Sequence, residues 1–190
     1  MGLIGWIFLG VIVAAAIWGV AIYNRLVRFR ALVREGFSGI TVQLRRRADL
    51  IPNLVSTVEG YATHEREVLT EVTAHRADAT TAKGVAATAQ ADNAFSAMLG
   101  RLMAVAEAYP DLKADDNFRQ LQDELSAIEE QLQGARRYYN ATVRDLNTRV
   151  QSFPDVLFAR PLGFNEEEFY ADDDASIQSA PVVKFGAAKA

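Results

Sequence analysis

An uninterrupted apolar run near the N-terminus constrains this chain more than any other feature. Residues 3–22 read LIGWIFLGVIVAAAIWGVAI and contain no charged or amide side chain. The hydrocarbon core of a bilayer is about 30 Å thick and requires about 20 helical residues, so this run has the length of one transmembrane helix. Trp6, Trp18 and Tyr23 suit the membrane interfaces. We therefore predict an anchor, residues 1–24, that contacts the lipid bilayer through residues 3–22.

A cleaved signal peptide is the main alternative for this run. Signal peptides usually have a basic start and a shorter apolar segment, whereas only Met1 and Gly2 precede this long run. The arginines that follow it are Arg25, Arg28, Arg30 and Arg34. Because positive residues favour the cytoplasmic side, we predict a single-pass protein of the cell (inner) membrane. Its N-terminus is expected outside and its helical domain in the cytoplasm.

Composition limits the kinds of active site that the chain can form. The 190 residues include no cysteine and two histidines, and the formal net charge is −4. Without cysteine there is no thiol nucleophile, disulfide or thiolate metal site, and the negative charge does not favour nucleic acid. His64 and Glu65 resemble the start of an HExxH zinc motif, but Val68 occupies the second histidine position. On a shared helix His75 would lie about 16 Å from His64, too far to bind the same zinc ion. We predict no metal, no cofactor and no enzymatic activity.

Hydrophobic spacing predicts helices over most of residues 25–152. The clearest series runs from Phe118 to Val150 in steps of three and four, a near-heptad seam typical of coiled coils. About 35 helical residues extend roughly 50 Å. Long helices joined by short turns indicate an all-α fold, in which the transmembrane helix continues into an antiparallel bundle of three to four long helices.

The positions of the helix boundaries are less well defined. Asp49 suits the start of a helix with Pro52 in its first turn, and whether the first helix breaks there stays open. Gly84 is the expected turn position in an Ala/Thr-rich stretch. We predict a third helix from about Asn93 to Tyr109, which Pro110 ends.

From Phe153 onward the chain becomes irregular, acidic and aromatic. We predict that residues 153–190 form an extended segment that packs on the bundle through its aromatic side chains. Its last motif is PVVKF, residues 181–185, a short extended element that could dock on a neighbour or add to a sheet edge.

Four motifs resemble those of the LemA family of bacterial membrane-anchored helical proteins. They are QLRRRADLIPNLVSTVEGYATHE (43–65), AEAYPDLKADDNFRQLQDEL (106–125), ARRYYNATVRDLNTRVQSFP (135–154) and PVVKF (181–185). The resemblance covers nearly the whole chain in the same order. It implies a single-pass membrane protein with a helical bundle, and it implies no defined activity. It also implies a membrane protease or another small membrane protein as partner, and a related domain occurs in proteins of magnetosome membranes.

Three consecutive arginines, Arg45, Arg46 and Arg47, form the strongest local charge cluster. On a straight helix they would lie about 33 Å beyond the span, whereas salt screens the lipid field over about 10 Å. We therefore favour a protein contact, with the acidic C-terminal segment of this subunit or a neighbour as the natural partner. The other candidate interaction residues are Asp49, Asn53, His64, Glu65, Arg136, Asn140, Phe153, Val182, Val183 and Phe185. Polar groups inside bundles more often satisfy one another than catalyse a reaction, so we expect His64 and Glu65 to bridge helices.

Taken together, these features predict a non-enzymatic membrane-anchored scaffold that self-assembles as a homo-oligomer and organises partner proteins. Confinement to a membrane favours assembly because it raises the effective concentration. An adaptor or regulator of a membrane protease is the first alternative, which a second protein at fixed stoichiometry would distinguish. An enzyme of unknown type is the second, and loss of activity in His64→Gln with intact assembly would indicate it.

Overall fold

In the computed structural model, which describes residues 2–62 and 64–170, every regular element is an α-helix. The helices are α1 (Leu3–Glu59), α2 (Arg66–Thr81), α3 (Val85–Glu107), α4 (Pro110–Ala114), α5 (Asp116–Gln151) and α6 (Val156–Ala159). The predicted all-α fold is confirmed, and four of these helices are long. Val182, Val183 and Phe185 of the PVVKF motif lie outside the described residues.

The first helix is continuous from the apolar run into the bundle. It has 57 residues, which correspond to about 85 Å at 1.5 Å per residue. It contains an 18-residue apolar window with a mean hydropathy of 2.3 that is not buried within the protein, so the helix is long and apolar enough to cross a membrane. The helix does not break at Asp49 or Pro52. The apolar run and the bundle therefore share one helix.

A hydrogen bond from α2 explains why α1 continues past Pro52. Proline lacks an N–H, so it leaves the carbonyl four residues earlier, that of Ala48, without its helical donor. The Nε of Arg76 on α2 donates a hydrogen bond of 2.7 Å to that carbonyl oxygen. Ala48 has no exposed surface in the packed protein, so Arg76 rather than bulk solvent supplies the donor. The chain thus compensates for an interior proline with a side chain from the neighbouring helix.

Helix α5 runs antiparallel to α1 along most of its length. Phe29 of α1 lies under Arg149, with 5.5 Å from the guanidinium carbon to the ring centroid, and Phe37 packs on Tyr139 at 5.9 Å between ring centroids. Residues later in α1 therefore pack against residues earlier in α5, as in an antiparallel pair. The predicted seam faces inward, and its buried members are Phe118, Leu125, Leu132, Tyr139, Val143, Leu146 and Val150.

Close approach of the two long helices depends on a glycine. A Cβ atom at Gly36 would lie 3.1 Å from the Cα atom of Tyr139. Side chains at this position would push against backbone rather than against a flexible side chain. At Gly39, one turn further along, an added Cβ would meet nothing within 4 Å. Gly36 therefore sets the distance between α1 and α5 at this level.

Two hydrophobic clusters occupy successive levels of the protein. Near the far end of α1, residues such as Leu54, Leu102 and Phe118 join α1, α2, α3, α4 and the start of α5. Closer to the apolar run, residues such as Leu26 and Leu146 join α1 to the end of α5 and to the C-terminal segment. The second cluster lies next to the predicted membrane span.

The predicted start of the third helix is wrong by eight residues. Helix α3 begins at Val85, directly after Gly84, whose φ of 84° provides the expected turn. Alanine has the highest helix propensity, and the buried side chains of Thr88 and Ala89 pack this Ala-rich stretch against the bundle. Helix formation here did not need the large apolar residues on which the prediction relied. Pro110 does not end α3, which stops at Glu107, but begins α4.

Candidate functional site: a buried charge network and a C-terminal clamp

A buried carboxylate joins three helices near the middle of the protein. Asp92 of α3 has no exposed surface, and its two carboxylate oxygens bind Arg47 of α1 and Arg136 of α5, one oxygen each. Arg47 and Arg136 are 1% and 6% exposed. Glu129 of α5 approaches Arg47 to 2.9 Å and Arg136 to 3.9 Å. Two positive and two negative groups therefore balance in one cluster, which we call the charge network.

The C-terminal segment supplies a fifth group to the charge network. The Tyr170 hydroxyl donates a hydrogen bond of 2.7 Å to the second oxygen of Asp92. Burial raises the pKa of Tyr170 well above its ordinary value, and the negative charge of Asp92 raises it further. Burial disfavours the charged form of Arg136, but Asp92 more than offsets this and holds the Arg136 pKa above its usual value. The tyrosine thus stays a neutral donor and the arginine stays a cation.

The network also contains buried polar atoms beyond these pairs. Arg47 donates to the Ser96 hydroxyl at 3.0 Å, and its guanidinium carbon lies 4.9 Å from the centroid of the Phe95 ring. Its Nε is buried and has no hydrogen-bond partner among residues 2–62 and 64–170. Because an uncompensated buried charge is costly, each arginine depends on the carboxylates around it. This chemistry fixes the relative positions of α1, α3 and α5.

Two asparagines of α5 hold the C-terminal segment by its backbone. The side-chain amide of Asn147 pairs with both backbone groups of Glu167, at 2.9 Å and 2.8 Å. Asn140 pairs in the same way with Tyr170, at 3.2 Å and 2.9 Å. We call these two pairs the clamp. Each imitates the reciprocal hydrogen bonds between two β-strands.

The spacing of the clamp follows from helix and strand geometry. Asn140 and Asn147 are seven residues apart, two turns along one face of α5, which is about 10.5 Å. Glu167 and Tyr170 are three residues apart, which is about 10 Å in an extended chain. The two rises match, so an extended peptide bridges both amides without strain. The Tyr139 hydroxyl adds a third contact, because it donates a hydrogen bond of 2.7 Å to the carbonyl oxygen of Glu168, which lies between Glu167 and Tyr170.

The three consecutive arginines lie in two different environments. Arg45 and Arg46 are exposed, whereas Arg47 points into the core and is not available to another protein. The predicted acidic partner of Arg47 also differs, because its carboxylates come from Asp92 and Glu129 within the bundle. The C-terminal segment contributes a tyrosine hydroxyl to this network.

The remaining candidates occupy different parts of the surface. Asp49 and Asn53 are exposed on α1, and Phe153 is 79% exposed after α5. His64 lies exposed in the turn before α2, so it does not share a helix with His75. Glu65, directly before α2, accepts a hydrogen bond of 3.4 Å from the hydroxyl of Tyr109, which directly precedes α4.

Sequence reasoning missed Asp92, Glu129 and Tyr170. A signal for Asp92 exists, because it lies three residues before the inward-facing Phe95 and four after the buried Thr88. A carboxylate on the inward face of a helix requires a buried partner. Only the tertiary structure identified the partners as Arg47 and Arg136, since these residues are 45 and 44 positions away from Asp92 in the sequence.

The chain matches a known protein family over most of its length. The family model described as "LemA family" matches residues 36–185. This chain belongs to the LemA family. The match includes the charge network and the clamp.

Individual relatives agree with this family. Magnetosome protein MamQ 2 of Paramagnetospirillum magneticum is 25% identical over 179 residues, which cover 80% of this chain and 66% of the relative. Protein LemA of Metamycoplasma hominis is 27% identical over 135 residues, covering 68% of this chain and 60% of the relative. This LemA-family chain thus spans somewhat less than two thirds of the length of these relatives.

Proposed function

We propose that this LemA-family protein is a non-enzymatic, membrane-anchored scaffold that self-assembles and organises partner proteins at the membrane. The observation that carries the proposal is the continuity of α1 from the apolar run into the core of the bundle. A continuous helix transmits position and orientation from the bilayer to the bundle. Membership of a family with relatives named LemA and MamQ supports a membrane-associated role.

The clamp supports a specific way of assembling. It fixes the chain as far as Tyr170 on the side of the bundle, close to Arg47. Arg47 lies 25 residues beyond Ile22, which is about 38 Å along the helix axis. The tail, residues 171–190, therefore starts from a fixed point well away from the bilayer. We propose that its PVVKF motif binds a neighbouring copy, which links anchored subunits into an oligomer.

The native mass of the full chain tests this proposal. The chain is purified from membranes in mild detergent, and its mass is measured by native mass spectrometry alongside a variant that lacks residues 171–190. We expect an oligomer of this chain alone, and a smaller assembly with unchanged helical circular dichroism for the truncated variant. A second variant, Val182→Ser with Val183→Ser and Phe185→Ser, should reproduce the loss. The matched control replaces Asp172, Asp173 and Asp174 with Asn, which keeps the motif intact.

Other outcomes would lead to different conclusions. A monomeric full-length chain would overturn the self-assembling scaffold. A second protein at fixed stoichiometry would favour the alternative, an adaptor or regulator of a membrane enzyme such as a protease. An assembly that the truncation leaves unchanged would retain the scaffold but exclude the tail as its link.

A further inference from the structure

The segment after α5 exposes apolar side chains beside the end of the apolar run. We call residues 152–163, which include α6, the foot. Phe153, Leu157 and Leu162 are 79%, 61% and 46% exposed. Exposed large apolar side chains that cluster on a small segment mark an interaction surface.

Contacts with α1 fix the level of the foot along the membrane axis. Phe158 packs edge-on against Trp18, with 6.4 Å between ring centroids. A Cβ atom added at Gly19 would lie 3.7 Å from the Phe158 ring, which places the two residues side by side. Trp18 is four residues before Ile22, the end of the apolar run, and so lies about 6 Å inside it. Amphipathic segments at membrane surfaces bury their apolar face about 5–10 Å into the boundary between headgroups and acyl chains. The foot therefore lies at the depth of a bilayer interface.

The protein holds the foot firmly in this place. Arg30 of α1 donates a hydrogen bond of 2.7 Å to the Gly163 carbonyl oxygen, and its guanidinium carbon lies 4.0 Å from the centroid of the Phe164 ring. Phe164 in turn packs against Tyr23. These contacts attach the end of the foot to the first turns of α1 beyond the span. The foot cannot move away from the bilayer without breaking them.

The charges around the foot suit a lipid surface. Its one acidic side chain, Asp155, is 3% exposed, whereas Arg160 is exposed. Arg25 and Arg28 are exposed on α1 just beyond the span. Basic residues at this level attract the phosphates of anionic lipids. Within the foot the exposed charge is positive, and the exposed apolar side chains belong to the same short segment, as in segments that lie in an interface.

We propose that the foot is a second membrane contact, which inserts Phe153, Leu157 and Leu162 among the lipids next to the transmembrane helix. The bilayer then holds the bundle at two points, so that the bundle cannot tilt freely about its anchor. This inference rests on the membrane anchoring in the proposed function and goes beyond it by assigning a lipid-binding role to the foot.

Spin labels on single cysteines test the proposal, because the native chain has no cysteine. Leu157→Cys in the foot, Val13→Cys in the span and Ala127→Cys on the exposed face of α5 are each labelled in the full chain. The proteins are reconstituted into nanodiscs of phosphatidylcholine and phosphatidylglycerol. Collision rates with oxygen, which enters lipid, and with a nickel chelate, which stays in water, are measured by electron paramagnetic resonance.

We expect the label at 157 to collide with oxygen and to show several-fold fewer nickel collisions than the label at 127. Free access of nickel to 157, with 13 protected from nickel and open to oxygen, would overturn the second contact while leaving the anchor in place. Protection of 157 from both reagents would also overturn it, because protein rather than lipid would then cover the foot. Nickel access at 13 would overturn the anchor itself and the foot contact with it.

Discussion

The Nε of Arg76 donates a hydrogen bond to the carbonyl oxygen of Ala48, the group that Pro52 leaves without a helical donor. Arg76 lies on α2 and Ala48 on α1, so the continuity of the longest helix depends on its neighbour. That continuity connects the apolar run with the bundle. It is therefore central to the proposed scaffold.

Replacing Arg76 tests this compensation. Arg76→Met should destabilise the full chain by about 1–3 kcal/mol, the usual cost of a buried polar group without a partner. Pro52→Ala restores a backbone N–H that can bond to Ala48, so Arg76→Met should cost less in that background. Chemical denaturation in detergent, followed by circular dichroism, measures the double-mutant cycle. Equal costs in both backgrounds would show that Arg76 does not compensate for the proline.

Removing the charge of Asp92 should strongly destabilise the bundle. Asp92→Asn removes the carboxylate charge that the buried Arg47 and Arg136 share, and breaking a buried ion pair costs about 3–5 kcal/mol. The free energy of unfolding is measured by denaturant titration. Asp145→Asn, which removes an exposed carboxylate from α5, is the matched control and should change stability little. A similar loss in both variants would contradict the proposed importance of the network.

Two glycines of α1 should respond differently to the same substitution. Gly39→Ala should stabilise the chain by about 0.5–1 kcal/mol, because alanine loses less conformational entropy in a helix and the added methyl meets open space. Gly36→Ala should gain less or lose stability, since its methyl presses on the backbone of Tyr139. Gly36→Val should lose about 1–3 kcal/mol through overpacking. Thermal unfolding of the three variants checks the order, and equal gains for both alanine variants would exclude tight packing at Gly36.

Loss of the clamp should release the C-terminal segment without unfolding the helices. Asn140→Ala and Asn147→Ala each remove two hydrogen bonds to the backbone. Hydrogen exchange of residues 164–170 should accelerate in each variant and most in the double variant, while exchange in α5 changes little. Gln131→Ala, an exposed change on the same helix, serves as control. Unchanged exchange in the double variant would show that other contacts suffice to hold the segment.

Alkaline pH should weaken the contact between Tyr139 and the C-terminal segment. Burial, with a smaller effect of the Glu167 and Glu168 charges, raises the pKa of Tyr139 from 10.0 to about 12. The unfolded chain therefore loses this proton at lower pH than the folded chain, so the stabilisation is complete below pH 10 and is lost as pH rises towards about 12. Tyr139→Phe should reduce the pH dependence of stability in this window, measured by denaturant titration. Tyr138→Phe, a change at the exposed neighbouring residue, is the matched control.

The sequence by itself determined the features that depend on local patterns. An apolar run of transmembrane length, the seam from Phe118 to Val150 and the turn at Gly84 are properties of neighbouring residues. Helix periodicity and bilayer thickness are fixed quantities, so these patterns indicate helices and an anchor without knowledge of the fold. The family motifs were recognisable for the same reason.

Only the tertiary structure decided how these helices support one another. Whether α1 breaks at Pro52 depends on Arg76, and whether Arg47 is a surface charge or a core charge depends on Asp92, 45 residues away. The clamp joins residues 20 and 30 apart, and Tyr170 reaches Asp92 across 78 residues. The physical reason is that a buried polar group is stable only with a partner, and distant partners become neighbours only when the helices pack.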